Sequence, residues 1–116
     1  MADVEPLSVL EQDYIDHHKA DGRSQATWKR HQATHKLFRK FLTASGLPED
    51  SRSLTTDCMR KFSRWLQETP IERPQRGTTI RSVYGTRAAL KDMRAMTYWL
   101  FEENRLAQLP KVPMPK

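Results

Sequence analysis

The chain has 116 residues, which suits one domain with a modest hydrophobic core. Hydrophobic residues make up 37% of it and charged residues 29%, and no apolar run reaches the roughly 18 residues of a membrane span, so none is expected. Residues 1–21 hold six acids against one base, whereas residues 22–116 hold 19 bases against 8 acids. This surplus favours a polyanionic partner, usually nucleic acid; the alternative is a basic domain that is merely well solvated.

The amino terminus, MADVEPLSVLEQ, is acidic and lacks a signal-peptide pattern. The lone cysteine, Cys58, has no partner for an internal disulfide, which predicts a cytoplasmic protein. No base partner for Cys58 is identifiable in the sequence. Its place on the inner side of a predicted helix indicates a buried structural thiol rather than a nucleophile.

The first predicted helix runs from Ser8 to Ala20. Ser8 and Glu11 match the S-x-x-E capping box, which satisfies free N–H groups at a helix start. Gly22 follows as a stop signal. The predicted apolar stripe consists of Val9, Leu10, Tyr14 and Ile15.

The second predicted helix runs from Ser24 to Ser45, with Ser24 as its N-cap and Gly46 and Pro48 ending it. Its apolar face is predicted to consist of His31, Thr34, Leu37, Phe38, Phe41 and Leu42. This is an amphipathic pattern with one face turned to the core.

The third predicted helix runs from Thr56 to Glu68 and is capped by Thr55 or Thr56. Its apolar positions at three-to-four spacing are Cys58 or Met59, Phe62, Trp65 and Leu66. Residues 69–77 contain two prolines, a glycine and two arginines, so a basic loop is expected there.

The fourth predicted helix runs from Thr79 to Asn104. Its predicted apolar face consists of Val83, Leu90, Met93, Thr97, Leu100 and Phe101. Gly85 indicates a late helix start, a kink or a close approach to another backbone. After Leu109 three prolines predict an extended linker or a frayed end. With no alternating strand pattern, the chain is predicted to be all-α.

Two of these helices carry basic residues along one face. On the fourth, the residues at offsets 0, 3, 7, 10 and 14 share one stripe: Tyr84, Arg87, Lys91, Arg94 and Tyr98. A row of phosphates would relieve the repulsion among the three cations. The two tyrosines are expected to pack at the rim of the core rather than to stack on bases.

On the second helix Lys29, Lys36 and Lys40 fall within roughly 40° of one another, opposite the apolar face. Arg23 and Gln25 lie near the start of this helix, where free N–H groups favour phosphate. Each stripe on its own is also compatible with a solvated helix face. Two stripes together favour nucleic-acid binding.

The sequence offers little catalytic chemistry. His31 and His35 are four residues apart, but the run H-Q-A-T-H lacks the glutamate that the zinc-protease motif needs, and no third ligand follows at a sensible spacing. The two histidines are expected to pack partly on the core. No metal or cofactor site and no enzyme active site is predicted in this chain.

The order of the short motifs resembles the N-terminal core-binding domain of tyrosine recombinases, the phage-integrase family. The resemblance covers about residues 7–115. It rests on S-x-x-T at Ser24 to Thr27 with the aromatic and apolar positions that follow, on Leu54 to Asp57 before the third helix, and on Ala88 to Lys91, Tyr98 to Leu100 and Pro110. His31 stands where these domains usually have tyrosine, and Leu109 stands where asparagine usually precedes the closing proline.

The resemblance implies a four-helix, SAM-like bundle that closes over one face of duplex DNA with its second and fourth helices. A separate C-terminal domain of the parent recombinase would carry the tyrosine nucleophile. Residues 1–109 are then the DNA-binding domain, and residues 110–116 begin the linker to that absent catalytic domain. The implied partners are a core recombination site in double-stranded DNA, the catalytic domain, and other protomers in a synaptic complex, with a nucleoid-associated location in the cytoplasm.

From the charge faces and the resemblance together, one set of residues is predicted to contact DNA. It consists of Ser24, Gln25, Thr27, Lys29, Lys36, Lys40, Arg76, Arg81, Arg87, Lys91 and Arg94. The competing hypothesis is a helical protein-interaction module without DNA binding, supported by the acidic first helix and by Trp99, which is predicted to point away from the apolar face. A helix-turn-helix regulator is a weaker alternative. About nine residues separate the third and fourth helices, which is too long for the tight turn of that motif.

Overall fold

Serine and threonine side chains set the start of three of the four helices. Ser24 accepts the backbone N–H of Thr27, and Thr55 accepts that of Cys58. Ser82 caps the last helix in the same way through the N–H of Gly85. Each hydroxyl thereby satisfies a donor that the helix itself leaves unpaired.

The computed structural model describes residues 3–73 and 77–116. Its helices are α1 (Leu7–Ala20), α2 (Gln25–Ser45), α3 (Thr56–Glu68) and α4 (Val83–Glu102). A short 3₁₀ turn (Ser51–Ser53) precedes α3. The prediction of an all-helical core is confirmed, and the predicted bounds of α2 and α3 hold to within one residue. None of these helices, within the described ranges, has the length and apolar character of a membrane span.

The segment between α3 and α4 differs from the predicted loop. Two short strands, β1 (Ile71–Arg73) and β2 (Gly77–Thr79), pair antiparallel, with Ile71 opposite Thr79. Because β2 takes up residues 77–79, α4 begins at Val83 rather than at Thr79. Gly85 therefore marks a late helix start, the first of the alternatives for this residue.

Three residues at the ends of the predicted apolar faces were wrongly assigned to the core. Val9, Val83 and Phe101 are all solvent-exposed, Val83 because it opens α4 outside the core. The predicted capping box at Ser8 is also wrong, since α1 begins at Leu7 without any side-chain cap. Glu11 is instead buried, with its carboxylate 3.4 Å from the guanidinium of Arg39 on α2.

The core lies where α1, α2, α3 and α4 meet. Phe38 and Phe41 from α2 pack on Phe62 of α3, with ring centroids 5.0 and 5.3 Å apart. Leu90, Met93 and other apolar side chains of α4 are fully buried against the same cluster. Cys58 is buried as predicted. Burial raises the pKa of this thiol to about 11, so it stays protonated at neutral pH.

The tail after α4 is extended but lies against the bundle. Leu106 and Pro110 are buried, and the N–H of Lys111 donates to the hydroxyl of Thr56 at the start of α3. Val112 and Met114 pack on the core cluster. The role of residues 110–116 as a linker stays a prediction.

Arg105 fastens the end of α4 to the start of the chain. Its guanidinium donates to both carboxylate oxygens of Glu5, at 2.7 and 3.1 Å, and to Asp13 at 2.7 Å. The bidentate bond to Arg105 lowers the pKa of Glu5. Two acids of the amino-terminal region are therefore neutralised within the fold.

Replacing Arg105 with alanine should destabilise the domain by about 1–2 kcal/mol, because three charge-assisted hydrogen bonds at a partly buried site are lost together. Urea unfolding at neutral pH measures the change. Arg52→Ala is the control, since its pair with Asp50 is exposed and spans only two residues, and it should have no measurable effect. Equal stabilities of R105A and the unmodified chain would contradict this role of Arg105.

Candidate nucleic-acid interface

The outer surface of α4 carries the row of residues predicted from the sequence, here named the α4 stripe: Tyr84, Arg87, Lys91, Arg94 and Tyr98. Lys91 and Arg94 are exposed and Arg87 is half-buried. The tyrosines are 84% and 55% exposed, so the expectation that they pack at the rim of the core is wrong. The buried face of α4 lies on the opposite side of the helix.

The cations of the α4 stripe form no ion pair with any side chain whose position is described. In contrast Arg30 and Arg105 each donate hydrogen bonds to an acid, and Arg39 lies 3.4 Å from the buried carboxyl of Glu11. The fold therefore neutralises a subset of its bases internally and leaves those of the stripe to solvent. Their charge is available to an external anion.

On α2 the predicted lysines form a second exposed row, the α2 stripe, made of Lys29, Lys36 and Lys40. These lysines too have no acid within ion-pair distance among the described residues. At the start of the helix Gln25 is exposed. The hydroxyls of Ser24 and Thr27 lie 2.9 Å apart in a hydrogen bond, so both already serve the N-cap.

Arg81 has a structural partner. One of its guanidinium nitrogens donates to the carbonyl of Leu66 near the end of α3, at 2.9 Å, and burial lowers the pKa of Arg81. The bond ties the segment before α4 to α3 and leaves Arg81 less free than the stripe residues. Arg76, which was predicted to contact DNA, lies outside the described residues.

A further pair of cations was missed by the sequence interpretation. Arg60 and Arg64 lie one turn apart on α3, are exposed, and have no ion pair within residues 3–73 and 77–116. They line a cavity of about 420 Å³ beside Pro113 of the tail. Their i, i+4 spacing was the available signal.

A buried carboxylate joins the two helices that carry the stripes. Asp92 of α4 is only 4% exposed. It accepts hydrogen bonds from the hydroxyl of Thr34 at 2.7 Å and from the guanidinium of Arg30 at 3.2 Å, both on α2. The Nδ1 atom of His31 lies 3.6 Å from the same carboxylate. These contacts fix α2 against α4 at mid-helix.

The histidines form an aromatic cluster between α1, α2 and α4. His18 stacks on His31 with centroids 4.7 Å apart, and the ring of Tyr14 meets His18 edge-on at 4.5 Å. His31 and His35 are buried, as predicted for core packing. In the described part of the chain no group of three or more potential ligands is placed to hold a metal ion.

Trp99 belongs to the same region. Its ring packs against His17 and Tyr14 of α1, at 5.1 and 5.5 Å between centroids, and it contacts the core cluster. Trp99 lies off the predicted apolar face of α4, but it is partly buried against α1 and does not form an exposed docking surface. The reason is that α1 covers a second side of α4, which the periodicity of α4 alone does not reveal.

No protein-family model, curated protein sequence or solved structure matches this chain. The stripes on α2 and α4 are therefore interpreted from their own exposure, charge and pairing.

Acidification should destabilise the domain through His35. Burial, together with His31 and Arg39 nearby, lowers the pKa of His35 from 6.5 to about 3. The unfolded chain thus binds a proton first, and the stability due to neutral His35 is lost as the pH falls from 6.5 towards 3. The stability difference between the unmodified chain and H35Q should fall by about 1 kcal/mol per pH unit between pH 6 and pH 4, measured by urea unfolding. A pH-independent difference would contradict this.

Glu11 should show the opposite slope. Burial raises the pKa of Glu11 from 4.5 to about 7, although Arg39 opposes the shift. Its contribution is complete below pH 4.5 and is lost as the pH rises through 7. The stability of the unmodified chain relative to E11Q should therefore decrease from pH 5 to pH 7 in the same unfolding experiment. An increase over that range would show that Glu11 is ionised in the fold.

Proposed function

We propose that this chain binds duplex DNA through the cations of the α2 and α4 stripes and serves as the core-binding domain of a tyrosine recombinase. One observation carries the DNA-binding proposal: six exposed or half-exposed cations stand in two rows without acidic partners among the described residues. The two rows lie on helices that are joined through Asp92.

Like charges three and four residues apart on a helix repel one another, and a row of phosphates removes that repulsion. Lysine and arginine that neutralise phosphates also release condensed counterions, which drives binding at low salt. Contacts of this kind position a protein on DNA without reading its sequence.

The α4 helix also has a suitable diameter for the major groove. An α-helix with its side chains is about 10–12 Å across, which fits the roughly 12 Å width of that groove. Arg87 and Arg94 are residues of the type that pairs with guanine edges through two hydrogen bonds. We therefore assign groove contact to α4 and backbone contact chiefly to the α2 lysines.

The recombinase role rests on the motif order in the sequence, together with the four-helix core. In this role the chain contributes binding alone, and a separate domain of the parent protein supplies strand cleavage. The target would be a core recombination site, and other protomers would assemble on it.

The competing hypothesis of a protein-interaction module loses two supports. Trp99 packs within the fold, against α1. Three acids of the amino-terminal region are also engaged: Glu5 and Asp13 by Arg105, and Glu11 by Arg39. The acidic surface that remains for docking another molecule is therefore smaller than the sequence suggests.

Glutamine substitutions at Arg87 and Lys91 should weaken binding to a short duplex and reduce its salt dependence. Each lost phosphate contact should lower the slope of log affinity against log salt by about 0.9. Fluorescence anisotropy with a random-sequence duplex across a salt series measures both quantities. Arg60→Gln with Arg64→Gln is the matched control, because it removes the same formal charge from exposed positions on α3. Equal losses in the two double variants would show general charge attraction and contradict a specific α4 surface.

The α2 stripe is tested separately by Lys29→Gln with Lys40→Gln. If α2 contacts the backbone, this variant should lower the affinity for all duplex sequences by a similar factor and reduce the salt slope. Its unfolding free energy should remain unchanged, since both lysines are exposed. Binding identical to that of the unmodified chain would remove α2 from the interface.

A further inference from the structure

The exposed tyrosines of this domain are confined to the α4 stripe. Tyr84 is 84% exposed and Tyr98 is 55% exposed. The third tyrosine, Tyr14, is buried, and all three tryptophans are partly buried. Both exposed tyrosine rings therefore stand in the row of cations already assigned to DNA.

Neither ring is part of the hydrophobic core. Both Tyr84 and Tyr98 lie outside the hydrophobic core cluster and the side chains packed on it. The Glu102 carboxylate nearby raises the pKa of Tyr98. More than half of the Tyr98 side chain is open to solvent.

The spacing of the stripe is aromatic, three cations, aromatic. Tyr84 and Tyr98 are 14 residues apart, which is about 21 Å along the helix, and Arg87, Lys91 and Arg94 lie between them. Proteins that bind unpaired nucleic acid combine cations that follow the backbone with aromatic rings on which bases stack. An intact duplex presents phosphates and base edges, but its base faces are covered by neighbouring pairs.

We propose that the α4 stripe binds preferentially DNA that contains unpaired bases, with the backbone on the three cations and a base stacked against the ring at either end. This inference rests on the proposed function and specifies the form of DNA at the same surface. The arginine and lysine contacts apply to both forms of DNA, whereas the tyrosine contacts require an unstacked base. Loss of the tyrosines should thus remove the preference without removing duplex binding.

The test compares a short duplex with the same duplex carrying a central run of mismatched pairs, using anisotropy at several salt concentrations and the full chain. The unmodified chain should bind the mismatched duplex about tenfold more tightly for each base that stacks. Tyr84→Ala with Tyr98→Ala should abolish this preference while leaving affinity for the paired duplex and its salt slope unchanged. Tyr84→Phe with Tyr98→Phe should retain the preference, since the ring rather than the hydroxyl stacks. Val9→Ala, at an exposed apolar position on α1, is the control.

The outcomes separate this inference from the function on which it rests. Binding to paired and mismatched duplex with equal affinity overturns the inference and leaves duplex binding in place. A preference that survives in the double alanine variant also overturns the role of the tyrosines. Binding to neither DNA at low salt overturns the proposed function and the inference together.

Discussion

Asp92 is the constraint on which the arrangement of the basic surfaces depends. A buried carboxylate is costly unless its oxygens are paired and hydrogen-bonded, and here both oxygens are engaged by side chains of α2. If the two helices shifted relative to each other, the charge of Asp92 would remain buried without its partners. The carboxylate therefore penalises alternative packings of α2 on α4 more than it adds to stability. This contact therefore fixes the position of the α2 stripe relative to the α4 stripe.

Contacts around α2 also explain which basic residues are paired with acids and which are left exposed. Arg30 and Arg39 lie on either side of α2, Arg30 against Asp92 and Arg39 against Glu11. The α2 stripe lies on the remaining face, and its lysines have no acid within ion-pair distance among the described residues. Arg105 likewise neutralises the amino-terminal acids at the other end of α4. Internal pairing thus removes the acids that would otherwise weaken the attraction between this domain and a polyanion.

Local signals predicted much of the fold. The bounds of α2 and α3 followed from Ser24 and Thr55, whose capping geometry depends only on neighbouring residues. The start of α4 was missed although Ser82 supplies the same local capping signal, and the pairing of β1 with β2 keeps residues 77–79 out of the helix. Val9 was misplaced for a related reason: periodicity gives the buried direction of a helix but not the width of the contact.

In the candidate site too, some features follow from local sequence patterns and others only from folding. The exposed cations of both stripes were predictable, since helical geometry alone places those of α2 opposite the apolar face and those of α4 beside it. Asp92 was not predicted, because a carboxylate between Lys91 and Met93 resembles a solvated residue until Thr34 and Arg30 are brought to it by folding. The exposure of Tyr84 and Tyr98 depended likewise on which side of α4 the other helices cover.

Binding of duplex DNA by α2 and α4 is tested by mapping the bound duplex on the folded chain by NMR, following backbone amide shifts during titration at low salt. We expect the shifts to concentrate on the outer faces of α2 and α4, from residue 25 to 40 and from residue 84 to 98, with the amides around Arg60 and Arg64 unchanged. Shifts confined to α1 or α3, or no shifts at all, would contradict this expectation.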